Sequence, residues 1–371
     1  MDIRLKSLSD PALSGFDTII DTRSPLEFAE DHLPGAINLP VLSDEERVQV
    51  GTIYKQVSPF DARKLGGAMV AANAARHIAG PLAGFGGGWR PLVYCWRGGQ
   101  RSGAFATILQ QIGWRVGRIE GGYKAWRALV VERVTAAVAA PVVVLDGNTG
   151  SAKTEILHRL AARGHQVIDL EGLANHRGSL FGAMPGGQPS QKLFECRLAM
   201  ALEALDPGRP LLVEAESSRI GDLNLPRGIW QAIVAAPRLR LAVPVEARAA
   251  YTARAYADTC ADPQAVARIV NLLRPLHPAD RIEAWLRMIA AADWSGLAEG
   301  LMRDHYDPRY ERHRARHDDG RGPVVTLDGL DGLDGLDDLD AAAARVEAAL
   351  AGLTLPGPAP AASPVASGGG I

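Results

Sequence analysis

The sequence predicts two successive α/β domains, each built on a mostly parallel sheet, then a helical subdomain and a low-complexity tail. Three observations carry this. Short β-branched or apolar runs alternate with helical stretches twice over. In each half one apolar run ends in a glycine-bearing loop that leads straight into a helix. The 371 residues also exceed one domain at about 150 residues each.

In residues 1–134 the runs DTIID, AINLP, PLVYCW and RVGRIEG read as strands, with helices expected over 60–78, 102–114 and 123–134 from their apolar spacing. Alanine-rich 135–140 reads as a linker. A second α/β domain is expected over 141–246: a buried strand in PVVVLDGNTG, a helix from Lys153, strand QVIDL, a helix over 189–205, strand PLLVEA, a helix near Ile229 and strand LRLAVPV. Residues 247–316 read as helical, with Arg248, Arg254, Arg268, Arg274, Arg281 and Arg287 scattered among alanines and leucines. Residues 317–371 combine the repeat LDGLDGLDGLDDLD with a tail of Pro, Ala, Gly and Ser, and are expected to be disordered. The repeat reads as a solvated segment, with calcium binding as the alternative.

Apolar residues at 47% and charged residues at 22% are ordinary globular usage. No apolar run reaches the roughly 18 residues of a membrane span, and MDIRLKSLSD lacks the apolar middle of a secretion signal, so a cytoplasmic protein is expected. Three distant cysteines give neither a disulfide framework nor a paired-cysteine zinc site. With 40 Lys and Arg against 42 Asp and Glu, a nucleic-acid partner is neither predicted nor excluded, because such binding needs only a local basic face.

In PLVYCWRGGQRSG, Cys95 ends an apolar strand and a helix carrying Arg101 and Ser102 follows. The backbone of Trp96, Arg97, Gly98, Gly99 and Gln100, with the positive end of the helix, would favour a thiolate and cradle an oxyanion beside it. The alternative is a buried cysteine closing a core strand, but two arginines and two glycines within six residues do not suit a dry core. With Asp21-Thr22-Arg23, Glu27-Phe28 and the run from His32 to Asn38, this loop resembles the rhodanese family. That resemblance implies a chalcogen carried on Cys95. The Cys-x5-Arg spacing is one residue longer than the short loop of sulfur-transferring members and equals that of related phosphatases. Such a cradle would hold a tetrahedral phosphate-like group; a phosphatase would also need a general acid, and none is evident in the sequence.

LDGNTGSAKTEIL follows a strand and precedes an amphipathic helix, as a phosphate-binding loop should. Gly147, Asn148, Thr149, Gly150 and Ser151 would wrap amides around a phosphate, with Lys153 neutralising charge and Thr154 available to Mg²⁺. Ala152 stands where the usual pattern has glycine; its methyl would crowd the phosphate or restrict the backbone, which counts against tight nucleotide binding while leaving a phosphate site. Glu214, ending strand PLLVEA, is either a partner of that Mg²⁺ or an ordinary strand-end acid.

The order of the two loops, with VGTIYKQ at 50–56, IDLEGLANHRGSLFG at 168–182, QPSQKLFE at 188–195, VEAESSRIG at 213–221 and HYDPRY at 305–310, resembles the bacterial tRNA 2-selenouridine synthase family over roughly 15–312. The resemblance implies replacement of the sulfur of wobble 2-thiouridine by selenium from selenophosphate, through an S-geranylated base made from geranyl diphosphate. It implies selenophosphate oxygens on Arg97 and Arg101, selenium accepted or relayed by Cys95, and diphosphate on the second loop with Lys153 and Mg²⁺, without ATP hydrolysis. No tightly bound cofactor is expected; the partners implied are the tRNA anticodon arm and a selenophosphate supplier. His176, Arg177, Ser179, Gln188, Ser190, Gln191 and Lys192 are further candidates for diphosphate or tRNA phosphate, against the plainer reading that Ser190 and its neighbours cap a helix. The arginines after 247 and Arg309, Arg312, Arg314 and Arg316 are either a basic face for tRNA or solvated surface charges. Trp285, Trp294 and Tyr306 read as packing rather than stacking platforms, and Cys196 and Cys260 as structural. The rivals are a sulfurtransferase or Cys-x5-Arg phosphatase fused to a phosphate-loop kinase, and a non-catalytic tRNA-binding module.

Overall fold

A computed structural model describes residues 1–317, 322–332 and 337–355. The chain forms two compact units, one of Met1–Thr135 with Pro189–Ala204, the other of Ala136–Gln188 with the chain from Leu205 onward.

The first unit holds strands β1 (Asp2–Ile3), β2 (Thr18–Asp21), β3 (Ile37–Asn38), β4 (Pro91–Tyr94) and β5 (Gly117–Ile119). They form one sheet of order β1-β5-β4-β2-β3, parallel throughout. A parallel sheet needs both faces covered, and alternation along β4 achieves this. Val93 packs with Ile20, Val70, Phe105 and Leu109 on one side. Leu92 and Tyr94 pack with Ile119, Tyr123, Trp126 and Val130 on the other.

Two differences from the sequence reading stand out here. The Asp44–Gln56 helix has no apolar period to betray it, for none of its residues is buried; its start is fixed by the Ser43/Glu46 capping box. The Gln191–Glu203 helix, expected in the second domain, belongs to the first unit. Cys196 and Ala199 enter the core beside Trp126, Arg133 donates to the Leu202 carbonyl at 2.7 Å, and Arg127 pairs with Glu195.

The second unit holds β6 (Val142–Gly147), β7 (Gln166–Val167), β8 (Leu211–Glu214), the two-stranded ribbon β9 (Arg219–Ile220) and β10 (Leu223–Asn224), β11 (Arg238–Ala242) and β12 (Val324–Thr326). Its main sheet runs β12-β11-β6-β8-β7, again parallel, with β6 central. The Pro263–Asn271, Ala279–Ala290 and Trp294–Leu301 helices pack around Val266, Val270, Ile282, Trp285, Leu297 and Leu301, so Trp285 is core. Among the described residues no helix is long and apolar enough to cross a membrane.

The tail needs the largest correction. Residues 324–326 pair with β11, and the Leu339–Ala351 helix packs Ala342, Ala343 and Val346 into the cluster that holds Leu145, Ile156 and Leu241. Leu327 and Leu330 of the repeat are buried in the same cluster, while Asp337 accepts from the Asp328 amide and pairs with Arg345. The threefold leucine spacing resembles no helix or strand period, yet the sheet edge supplies the apolar surface these leucines need. Among the described residues no group of three His, Cys, Asp or Glu side chains is placed to hold a metal, calcium included. Residues 333–336 and 356–371, which the disorder expectation also covered, lie outside the described residues.

Ending the chain at residue 321 should therefore lower unfolding stability by more than about 3 kcal/mol, since each buried aliphatic side chain contributes roughly 1.5–3. Urea unfolding followed by circular dichroism checks this; an unchanged midpoint would mean the segment is dispensable to the fold.

Candidate active sites

Cys95 follows β4 at the carboxyl edge of the first sheet, and the Gln100–Ile112 helix begins five residues later. The loop between is pinned by the next strand-helix junction, where the amides of Tyr123 and Lys124 donate to the carbonyls of Cys95 and Trp96 at 2.8 and 2.9 Å. This junction demands glycine. At Gly122 (φ +58°) an added Cβ would lie 2.2 Å from the Cys95 carbonyl, and at Gly98 (φ +66°) 2.7 Å from that of Ile119. Cys95 is 3% exposed, and its sulfur accepts a hydrogen bond from the buried Ser102 hydroxyl at 3.1 Å.

The two arginines of the cradle differ. Arg97 is exposed, whereas Arg101, expected on the oxyanion, donates to Glu27 at 2.7 and 3.4 Å. Glu27 also meets Arg47 at 3.0 Å. Burial disfavours the Glu27 charge, but Arg101 and Arg47 outweigh it and hold the carboxyl below its usual range. Beneath the loop, the buried Arg23–Asp21 pair at 2.6 Å lies with its guanidinium 3.9 Å above the Tyr123 ring and donates to the Asp31 carbonyl. The Asp-Thr-Arg motif is thus scaffold.

In the second unit the loop after β6 leads into the Lys153–Ala162 helix. Gly150 adopts φ +82° and Ala152 φ +55°. Of the two effects expected of the Ala152 methyl, the structure has the backbone one. The methyl packs in the apolar cluster with Ile156 and Leu157, and the residue stays in the left-handed region, which costs a non-glycine residue about 1–2 kcal/mol. Lys153 donates to the Gly147 carbonyl at 3.0 Å and lies 5.6 Å from the centre of the Tyr310 ring.

Two arginines expected at the surface, as part of a basic face or as solvated charges, are instead buried and brace this loop from within. Arg248 donates to the Thr149 carbonyl at 3.0 Å and pairs with Asp307 at 2.7 Å; Arg314 reaches the Asn148 side chain. Arg254, Arg268, Arg274 and Arg281 are engaged with Asp331, Asp262, Glu283 and Asp304. Arg287 and Arg309 are exposed, and the Arg316 side chain lies outside the described residues.

Around Lys153 the chain gathers carboxyls, two of which the sequence reading did not single out. Thr154 and Glu214 are not joined: the Thr154 hydroxyl donates to Glu171 at 3.1 Å, while Glu214, fully buried, accepts from the Glu171 amide at 2.9 Å. The second Glu214 oxygen has no hydrogen-bond partner among the described residues. Burial, with the nearby charges of Asp169 and Glu171, pushes Glu214 up to about 8. Burial and the charges of Glu171 and Glu214 also push Glu216 well up, so that Glu216 as a neutral acid hydrogen-bonds Glu171, itself raised by burial. Burial opposes the Lys153 ammonium, but Tyr310, Glu171, Glu216 and Asp146 outweigh it and hold its pKa above the ordinary lysine value.

The remaining candidates divide. Arg177 pairs with Asp258 at 3.0 Å over the Tyr256 ring, Ser179 meets the Tyr256 hydroxyl at 3.3 Å, and His176 accepts from the Gly178 amide at 3.1 Å, its pKa lowered by burial. Gln188 clamps the β9–β10 turn, donating to Ile220 and accepting from the Asp222 amide. Ser190 caps the Gln191–Glu203 helix and also meets the Glu30 carbonyl, Lys192 pairs with Glu30 at 2.6 Å, and Gln191 donates to Glu195 at 2.9 Å. These three serve the first unit, and for Ser190 the capping reading describes the structure.

Beside the phosphate loop lies a cleft that sequence gave no sign of, because its walls come from separate helices. It has about 570 Å³ of space counting its open mouth. Thr149 lines it together with Phe181, Tyr256, Leu297, Leu301 and Tyr306. Its wall is almost wholly apolar.

Two measurements follow from this geometry. Ser102→Ala should slow alkylation of Cys95 by iodoacetamide about two- to tenfold, the worth of one hydrogen bond, as read on the Cys95 peptide by mass spectrometry; an unchanged rate would remove Ser102 from the site's chemistry. Glu214 is raised in the fold, so between its unfolded value near 4.5 and about 8 the unfolded chain binds fewer protons, and stability falls as pH rises through that window. Glu214→Gln should remove that decline, so that its stability relative to the parent grows from pH 5 to pH 8 in urea titrations; parallel profiles would show that Glu214 is ionised in the fold.

Comparison with known proteins matches a domain around each loop. Residues 5–129 match the rhodanese-like domain model, and residues 140–272 match the model of the tRNA 2-selenouridine synthase AAA domain. A tRNA 2-selenouridine synthase of Chromohalobacter salexigens is 42% identical over 250 residues, 65% of each chain. One of Alcanivorax borkumensis is 38% identical over 245 residues, 64% of this chain and 66% of the relative. These matches thus span about two thirds of each relative's length. One of Pseudomonas syringae is 34% identical over 327 residues, 80% of this chain and 88% of the relative. The chain belongs to the tRNA 2-selenouridine synthase family.

Proposed function

We propose that the protein modifies tRNA, replacing the sulfur of wobble 2-thiouridine by selenium from selenophosphate through an S-geranyl intermediate made from geranyl diphosphate. The observation that carries this reading is the meeting of two surfaces at Thr149: a loop suited to diphosphate, and an apolar cleft suited to hydrocarbon. A nucleotide has no hydrocarbon chain to fill such a cleft. A prenyl diphosphate has both parts.

Chemically, the thiocarbonyl sulfur attacks the first carbon of the geranyl chain, the carbon–oxygen bond breaks with its electron pair leaving on diphosphate, and the base loses its N3 proton. The loop amides and the Lys153 ammonium stabilise the departing charge. Alkylation turns the sulfur into a good leaving group: the selenium of selenophosphate attacks C2 of the base, the carbon–sulfur bond breaks to release geranylthiolate, and water takes the phosphoryl group as phosphate as the phosphorus–selenium bond breaks, with no change of oxidation state. Cys95 relays that selenium by holding the selenophosphate for attack rather than by forming a selenium–sulfur bond, in a cradle where Arg97 stands exposed for selenophosphate oxygens and Arg101 is oriented by Glu27. The same Glu27 weighs against a phosphatase, because a carboxyl held ionised by two arginines donates no proton to a leaving oxygen. Mg²⁺ would arrive on the diphosphate, held by phosphate oxygens and one or two protein groups such as Thr154 and Glu171, and would supply further charge neutralisation. The partners are tRNA and whatever enzyme supplies selenophosphate.

The test is nucleoside mass spectrometry of 2-thiouridine tRNA incubated with geranyl diphosphate and selenophosphate. The parent protein should yield 2-selenouridine, Cys95→Ser should stall at the geranylated base, and Lys153→Ala should make neither. Unmodified tRNA from folded protein that instead consumes ATP or a phosphate ester would replace this reading with a kinase or phosphatase.

A further inference from the structure

We propose that the cleft gauges the length of the prenyl chain, with Trp294 and Cys260 forming its far wall; this rests on reading the phosphate loop as a prenyl diphosphate site. The near end is fixed by Gly150. A Cβ there would lie 2.6 Å from Thr252 Oγ1 and 2.7 Å from Met302 Cε, so the segments carrying Thr252 and Met302 both touch the loop. Both then lead away from it.

Back from Met302, the Trp294–Leu301 helix turns Leu301, Ala298, Leu297 and Trp294 to the cleft. That spacing is one continuous helical stripe. At 1.5 Å per residue, the eight positions from Met302 to Trp294 carry the wall about 12 Å from the loop. On the facing side, Thr252, Tyr256 and Cys260 line the cleft over an equal count of residues, through the end of the Val245–Ala255 helix and the short Ala257–Cys260 helix. The cleft is therefore a slot with its polar anchor at one end and an indole at the other. Trp294 is half-buried, packed against the cluster of Val266, Trp285 and Leu297.

A ligand held by its diphosphate cannot slide, so the reach of its hydrocarbon is set by its number of isoprene units. Two units end within the slot. A third runs into the Trp294 ring, and a single unit leaves the far half unfilled. Apolar slots discriminate in both directions because unfilled space forfeits contacts and overfilled space forces side chains off their rotamers.

The experiment uses the full chain with 2-thiouridine tRNA and, in turn, dimethylallyl, geranyl and farnesyl diphosphate, reading the S-alkylated nucleosides by mass spectrometry. The parent protein should prefer geranyl. Trp294→Ala should raise the farnesyl-to-geranyl rate ratio about tenfold or more, and Cys260→Leu, which fills the far end, should shift preference the other way, toward dimethylallyl, by a similar factor. Trp294→Phe should move the ratio in the same direction as Trp294→Ala, less far, and keeps the test alive if the alanine variant fails to fold. Unchanged ratios in folded Trp294→Phe and Cys260→Leu, or a parent that uses farnesyl as well as geranyl, would overturn the gauge while leaving prenyl transfer intact. A parent that transfers none of the three would instead overturn the prenyl reading itself.

Discussion

Both candidate sites depend on one backbone constraint. At the carboxyl end of a central parallel strand, β4 or β6, the chain must turn within five residues into a helix and keep its amides facing a ligand. Few residues tolerate the dihedrals this requires. In the first loop the demand is met by Gly98 and by Gly122 of the adjoining junction, where backbone atoms press so closely that no side chain fits. In the second it is met by Gly150 and, against preference, by Ala152. The strain at Ala152 persists because the surroundings over-determine it. Its methyl fills the core above the Lys153–Ala162 helix, and Arg248 and Arg314 hold Thr149 and Asn148 from behind.

The second site adds a charge constraint to the backbone one. A single ammonium, Lys153, stands among Glu171, Glu214 and Glu216, two of them fully or nearly fully buried. Three ionised carboxylates cannot share so dry a space. The cluster settles with Glu214 and Glu216 shifted toward the neutral acid and Lys153 held as the cation. Negative charge delivered by a ligand would therefore meet a field already balanced close to neutral, with loop amides and one cation directed at it.

How much of this could be read from sequence follows from whether the determining contacts are local. The strands ending at Cys95 and Gly147, with the helices after them, were legible because glycine, apolar runs and helix starts are adjacent in the chain. The Asp44–Gln56 helix was not, since every residue in it faces at least partly outward. The Leu-Asp-Gly segment reads as solvated low complexity because burial of Leu327 and Leu330 depends on the pairing of β12 with β11, a strand roughly ninety residues earlier. Glu171 and Glu216 lay in stretches already marked by resemblance, yet nothing local tells that both turn toward Lys153. Ser190 combines both cases: its capping role, one of the two readings its sequence leaves open, is local, while the placement of its helix in the first unit is not.

The apolar cleft is where these constraints meet. Holding Gly150 in the left-handed region brings the loop against Thr252 and Met302, and that close approach is possible only because glycine has no side chain there. The same contact leaves the opening between the two helical segments beginning at the loop itself, at Thr149. Had position 150 carried a side chain, either the loop or both helical segments would have to withdraw, and the polar and apolar parts of the site would separate. One glycine thus couples the backbone dihedrals of the loop to the placement of the apolar wall. The demand for glycine at 150 is therefore independent of the departure at Ala152: the one rests on contact with Thr252 and Met302, the other on dihedrals that an alanine adopts at a cost.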